Sequence, residues 1–136
     1  MSAVALPQTE RTPWGLSQSH QRFQAGLPYA EFEALQASFK VSAQRLAHAI
    51  GINPRTLQRR RKDGRFTFVE SDRLSRYMEL FHSAAEALES EDAAASWLTR
   101  EDDVFDGLAP LEFASTEPGY LEMRDIIRNV QDDSFG

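Results

Sequence analysis

The sequence contains no cysteine, which excludes disulfides and thiolate metal sites and is compatible with a reducing compartment. It contains no apolar run near the roughly 20 residues that a membrane-spanning helix needs. Its first residues have neither the basic region nor the apolar stretch of a signal peptide. These absences set the expectation of a cytoplasmic chain with no membrane partner. There is also no alternating run of β-branched residues and no Asn-Gly hairpin signal, so strands are not expected. Histidine is limited to His20, His48 and His82, which form no His-x-x-x-His pair, and there is no serine elbow or glycine-rich phosphate loop. No catalysis, cofactor or metal is therefore expected. Glu101, Asp102, Asp103 and Asp106 crowd one loop, but they lack the ordered spacing and closing glutamate of a calcium site.

What the chain does have is charge sorted by sign. Residues 40–80 carry ten basic and four acidic residues, whereas residues 86–136 carry three basic and fourteen acidic ones. The formal net charge of −6 averages these two blocks and hides both. Densely packed like charges repel unless something of opposite sign meets them. A basic face suits phosphates, and an acidic face suits a basic protein surface.

From residue 27 onward the pattern is helical, and residues 1–26, rich in Pro, Gly, Ser, Thr and Gln, read as a flexible arm in which Trp14 and Phe23 are possible docking points. A first helix is predicted from Pro28, with Phe32, Leu35 and Phe39 facing inward. A second starts after the cap Ser42, buries Ala43, Leu46, Ala47 and Ile50, and ends at Gly51. The third has the clearest start signal, with Asn53 as cap and Pro54 at the first position, and runs to about Lys62. Thr67 and Glu70 form a capping box for a long fourth helix whose stripe is Leu74, Tyr77, Met78, Phe81 and Leu88. Asp72 and Arg76 are placed to pair along that helix, and Arg73 can reach Glu70 or another helix. A fifth helix follows Ser90, with Ala94, Trp97 and Leu98 inward. Residues 101–106 read as a solvated rim. A short helix near Pro110 buries Leu111 and Phe113, and a last helix, capped by Ser115 or Thr116, turns Met123, Ile126, Ile127 and Val130 inward.

The second helix, Gly51 and the third helix have the form of a helix-turn-helix, in which the second member enters the DNA major groove. On that member only Leu57 is apolar. Arginine can fork onto guanine and glutamine can bridge adenine; Arg55, Thr56 and Arg59 are the candidates for base contact, and Gln58 is a further DNA-binding candidate. Gln44, Arg60, Lys62 and Arg65 are candidates for phosphates.

Several blocks in order resemble the Xre-type antitoxins of RES–Xre toxin–antitoxin pairs. They are Thr56-Leu57-Gln58-Arg59-Arg60, Glu70-Ser71-Asp72-Arg73-Leu74-Ser75-Arg76, Ala94-Ala95-Ser96-Trp97-Leu98, Phe105-Asp106-Gly107-Leu108-Ala109-Pro110-Leu111 and Thr116-Glu117-Pro118-Gly119. The chain departs from the family pattern at Arg100-Glu101-Asp102-Asp103 and at Met123. The resemblance implies an antitoxin that neutralises an NAD⁺-consuming RES-domain toxin and represses its own operon by binding operator DNA. It also implies that the C-terminal end lies over the toxin's active-site entrance, which makes Asp132, Asp133, Ser134, Phe135 and Gly136 the candidate toxin-binding residues. Asp132, Asp133 and the terminal carboxylate would occupy the positive field that attracts a pyrophosphate, with Phe135 filling apolar space beside it.

The expected fold is thus an all-α helical bundle with an N-terminal helix-turn-helix and a C-terminal helical toxin-binding domain. The expected division is an arm over 1–26, a DNA-binding domain over 27–85 and a toxin-binding domain over 86–136. A homodimer is expected, because helix-turn-helix readers use paired half-sites, and the fourth-helix stripe serves equally as a dimer seam or as core. The alternatives are a helix-turn-helix repressor without a toxin partner and an adaptor that touches no DNA.

Overall fold

The computed structural model describes residues 25–135, with side chains to residue 130. Among these residues the chain is all-α. Its elements are α1 (Tyr29–Phe39), α2 (Ala43–Ala49), α3 (Pro54–Asp63), α4 (Phe68–Leu88), α5 (Glu91–Thr99), a 3₁₀ turn (Asp103–Phe105), α6 (Pro110–Phe113) and α7 (Glu117–Phe135). Trp14, Phe23 and the rest of the predicted arm up to residue 24 lie outside the described residues.

The starts are where side-chain chemistry puts them. Ser42 Oγ accepts from the Arg45 amide at 3.1 Å, Asn53 Oδ1 from Thr56 at 2.8 Å and Ser90 Oγ from Ala93 at 3.0 Å. Thr67 and Glu70 close the capping box in both directions, at 3.3 and 2.9 Å. Thr116, not Ser115, supplies the hydroxyl at the start of α7, accepting from Gly119 at 3.2 Å. Each such bond satisfies a donor that has no partner within its helix and contributes about 1 kcal/mol. Pro28 departs from expectation. It stands just before α1 in an extended conformation, because it pairs with Arg65 in an isolated antiparallel bridge.

That bridge ties the entering chain to the α3–α4 connection. Tyr29 N donates to Gly64 O and Phe66 N to Leu27 O, both at 2.9 Å. Gly26 has φ +91°, and a Cβ there would lie 2.1 Å from the Phe66 carbonyl oxygen, so only glycine fits. Ser71, fully buried on α4, accepts the Leu27 amide at 2.8 Å.

One apolar cluster runs through the whole described chain. Phe32, Leu35 and Phe39 of α1, Leu46 and Ile50 at α2, Leu57 of α3, Leu74, Tyr77 and Phe81 of α4, Ala94 and Leu98 of α5, Leu111 of α6, and Met123 and Ile127 of α7 all belong to it. α4 packs against both α5 and α7, and α1 packs against α5. Phe39 sits on Phe81 with ring centroids 5.2 Å apart. A boundary between residues 85 and 86 therefore falls inside α4, within a shared core.

Several expectations are corrected. Leu88 and Val130 are not inward: each is 37% exposed, because α4 and α7 extend past the end of the core. Ala43 and Trp97 are only half-buried. The acidic loop is not merely a rim, since Phe105 is buried edge-on to Trp97 (6.3 Å) and against Phe113 (5.1 Å). Leu74, Tyr77 and Phe81 are covered by the chain itself, so this part of the α4 stripe is core.

Replacing Ser71 by Ala leaves the Leu27 amide buried without a partner. The expected cost is about 1–3 kcal/mol in chemical denaturation. Ser75→Ala, which loses only a hydroxyl bond to the Asp72 carbonyl within the same helix, is expected to stay within about 0.5 kcal/mol of the parent.

Candidate nucleic-acid and toxin interfaces

α2, the turn and α3 form the helix-turn-helix. Gly51 turns the chain with φ +77°. Its amide bonds to His48 O at 3.0 Å and the Ile52 amide to Ala47 O at 2.9 Å, closing the end of α2. The Arg73 guanidinium crosses from α4 and lies over this turn, close enough that a Cβ on Gly51 would stand 2.8 Å from Nη1. Arg73 therefore does not reach Glu70, which Arg60 holds, but lies over the turn between two other helices.

α3 is fastened by Leu57 and turns its charge outward. Arg55, Gln58, Arg59, Arg61 and Lys62 line one shallow, open concavity. All five are exposed, and none of the four cations among them has an ion-pair partner among the described residues. Thr56 is half-buried, its amide held by Asn53, and Gln44 is exposed at the start of α2. Arg61, absent from the sequence-derived candidates, belongs to this face. Arg60 and Arg61 follow Leu57 by three and four positions, so spacing alone does not say which one turns inward.

Arg60 turns inward, which corrects its assignment as a phosphate contact. Its Nε lies 2.7 Å from Glu70 Oε1 and its Nη1 3.5 Å from Asp63, with the side chain only 16% exposed. The Glu70 hydrogen bond raises the Arg60 pKa against the opposing effect of burial. Burial likewise pushes the Glu70 carboxyl up, but the Arg60 guanidinium and the Thr67 amide outweigh it and hold the group below its ordinary value. The capping glutamate of α4 is therefore also the anchor of α3. Arg65 is partly committed as well, donating from Nη1 to the carbonyls of Ala25 (2.9 Å) and Gly26 (3.1 Å).

The two charge blocks also meet within the molecule. Arg45 of α2 forks onto Glu112 of α6 at 2.8 and 2.9 Å and donates to the Thr99 carbonyl at 3.0 Å. Its pKa is raised, chiefly by the hydrogen bond to Glu112. Lys40 reaches Asp92 at 2.7 Å, an exposed pair in which the ammonium lowers the Asp92 pKa. Tyr77 OH donates to the Leu111 carbonyl at 2.7 Å, and Tyr120 OH to Glu79 at 3.0 Å beneath the Arg76 guanidinium, which stands 5.7 Å from the ring centroid. Arg76 also pairs with Asp72 at 3.2 Å, as expected.

With this geometry in view, comparison with known proteins is specific. The model of the antitoxin Xre-like helix-turn-helix domain matches residues 14–79, and that of the antitoxin Xre/MbcA/ParS C-terminal toxin-binding domain matches residues 83–131. The chain belongs to the Xre-type antitoxin family. A curated relative, Antitoxin Xre of Yersinia enterocolitica, is 32% identical over 92 residues. The match covers 66% of this chain and 62% of that relative, less than two thirds of its length. Both matched models describe binding domains rather than catalytic ones.

The antitoxin's remaining candidates, Asp132, Asp133, Ser134, Phe135 and Gly136, fall outside the described side chains, although the α7 backbone is helical to Phe135. No helix among the described residues is long and apolar enough to cross a membrane.

Because folding lowers the Glu70 pKa, its contribution is complete above the unfolded value, about 4.3, and is lost as pH falls through the folded value. Glu70→Gln is expected to be less stable than the parent by about 1–3 kcal/mol near neutrality. That gap should close on acidification, as read from denaturation midpoints across pH 7 to 2.

Proposed function

We propose that this chain neutralises a RES-type, NAD-degrading toxin through its C-terminal region and represses its own operon through α3, acting as a homodimer on paired operator half-sites. The observation that carries the DNA part is the set of four outward cations on α3, Arg55, Arg59, Arg61 and Lys62. The neighbouring cations Lys40, Arg45, Arg60 and Arg76 are neutralised within the fold. A chain that satisfies those charges internally and leaves four together on a short helix has a surface suited to phosphate, where binding also releases counterions. Arg55, Thr56, Gln58 and Arg59 face bases in this reading. Gln44, Lys62 and the uncommitted part of Arg65 face phosphates, and Arg61 joins them.

The toxin part is supported by the match to a toxin-binding domain over 83–131 and by the acidity of that half. A toxin that binds a dinucleotide needs a positive pocket for the pyrophosphate. Asp132 and Asp133 bring negative charge to the last turns of α7, and Phe135 brings an apolar anchor. The tail then acts as a plug in the substrate entrance.

Two measurements test this. In electrophoretic mobility shifts on the promoter duplex, Arg59→Ala is expected to cost about 1–3 kcal/mol and relax base preference, whereas Lys62→Ala weakens all sequences alike and lowers the salt slope by about one. An affinity indifferent to salt contradicts the α3 assignment. In an NAD⁺ consumption assay with the RES-domain protein from the adjacent gene, removing residues 133–136 is expected to restore toxin activity while the complex persists. Full inhibition by the truncated chain contradicts the plug.

A further inference from the structure

Ala84, Ala87 and Leu88 of α4, Trp97 of α5, and Ile127 and Val130 of α7 enclose an apolar groove of about 50 Å³. We infer that this groove is where the toxin is anchored, by taking an apolar side chain flanked by basic residues, and that anchoring is separate from the plugging by the tail. The inference rests on the toxin reading above and says where on the domain the partner is held.

Three observations support the assignment. First, all the lining residues lie within residues 83–131, the segment matched by the toxin-binding domain. Second, the groove is apolar and its α4–α5 side is acidic. No Lys or Arg stands between Arg76 and Arg100, whereas Glu86, Glu89 and Glu91 lie within three positions of Leu88 and are exposed; the exposed cations nearby, Arg124 and Arg128, are confined to the α7 side. An apolar slot with one acidic edge is complementary to an apolar knob that carries basic residues on the side facing α4 and α5. Third, α7 continues from Val130 as helix to Phe135. At about 1.5 Å per residue, a partner seated on the groove has the chain end presented about 8 Å beyond it along a fixed axis. A groove anchor would thus aim the plug.

Other exposed apolar residues lie elsewhere: Leu108 lines an open concavity, but one shared with Arg45, Arg100, Glu101 and Glu112, so it is not an apolar slot. Phe68 and Val69 lie at the opposite end of α4, about 30 Å away along the helix and beside the DNA-facing half. Val104, 77% exposed, stands on the acidic loop, away from the groove-lining residues.

The test is the affinity of the full chain for the purified RES-domain protein encoded by the adjacent gene. Leu88→Asp and Val130→Asp alter positions more than a third exposed, so the fold is retained, as circular dichroism melting would verify. Each is expected to weaken binding roughly thirtyfold or more, as loss of a central anchor does. Val104→Asp is expected to stay within about twofold, and the chain without residues 133–136 is expected to bind like wild type. Wild-type affinity in both groove variants overturns the anchor while leaving the toxin reading intact, and so does an equal loss in Val104→Asp. A wild-type chain that fails to bind this protein overturns both.

Discussion

The constraint on which the molecule depends is that both halves bury the same helix. α4 begins beside the helix-turn-helix, where Thr67 and Glu70 cap it and Arg60 of α3 is fastened to that cap. It is 21 residues long and ends among the apolar residues of the toxin-binding segment. Between those ends Leu74, Tyr77 and Phe81 are covered by α1 on one side and by α5 to α7 on the other. Neither half has a separate core. The Arg45–Glu112 fork and the Tyr77–Leu111 bond add directional ties across the same seam. A partner gripping one end is therefore mechanically joined to the other.

The charge pattern gains a sharper meaning from the fold. Segregation along the sequence suggests two poles that each await a partner, but much of the basic block is satisfied at home. Lys40, Arg45, Arg60 and Arg76 are paired with Asp92, Glu112, Glu70 and Asp72. What is left outward is narrower: the exposed face of α3, and an acidic surface whose apolar interruptions stand out against it. Exposed ion pairs such as Lys40–Asp92 contribute little to stability. The partly buried Arg60–Glu70 pair matters more, because it orients α3 while turning one cation away from its outward face.

Local chemistry made much of this readable in the sequence. Helix starts at Ser42, Asn53, Thr67 and Ser90 follow from side chains that reach their own backbone, and the stripes around Leu46, Leu74 and Met123 follow from helical spacing. Contacts between distant segments were not readable. Nothing in the pattern of residues 101–106 shows that Phe105 is the point that roots the loop, because a single aromatic has no period. Spacing does not decide between Arg60 and Arg61, since that choice depends on Glu70 arriving from the next helix. Leu88 and Val130 satisfy the stripes but lie beyond the core, and where a core stops is a tertiary fact. Gly26 and Ser71 owe their importance to one another's neighbourhoods, 45 positions apart in sequence.

The most direct measurement concerns whether one molecule serves both partners through separate surfaces of a single rigid body. Sedimentation velocity on an equimolar mixture of this chain, the toxin proposed as its partner and a labelled promoter duplex reads this without assumptions about kinetics. The expected result is a species heavier than either binary complex and containing all three components. Contradiction would be a mixture in which the toxin and the duplex displace each other, which would place both on one face of the antitoxin.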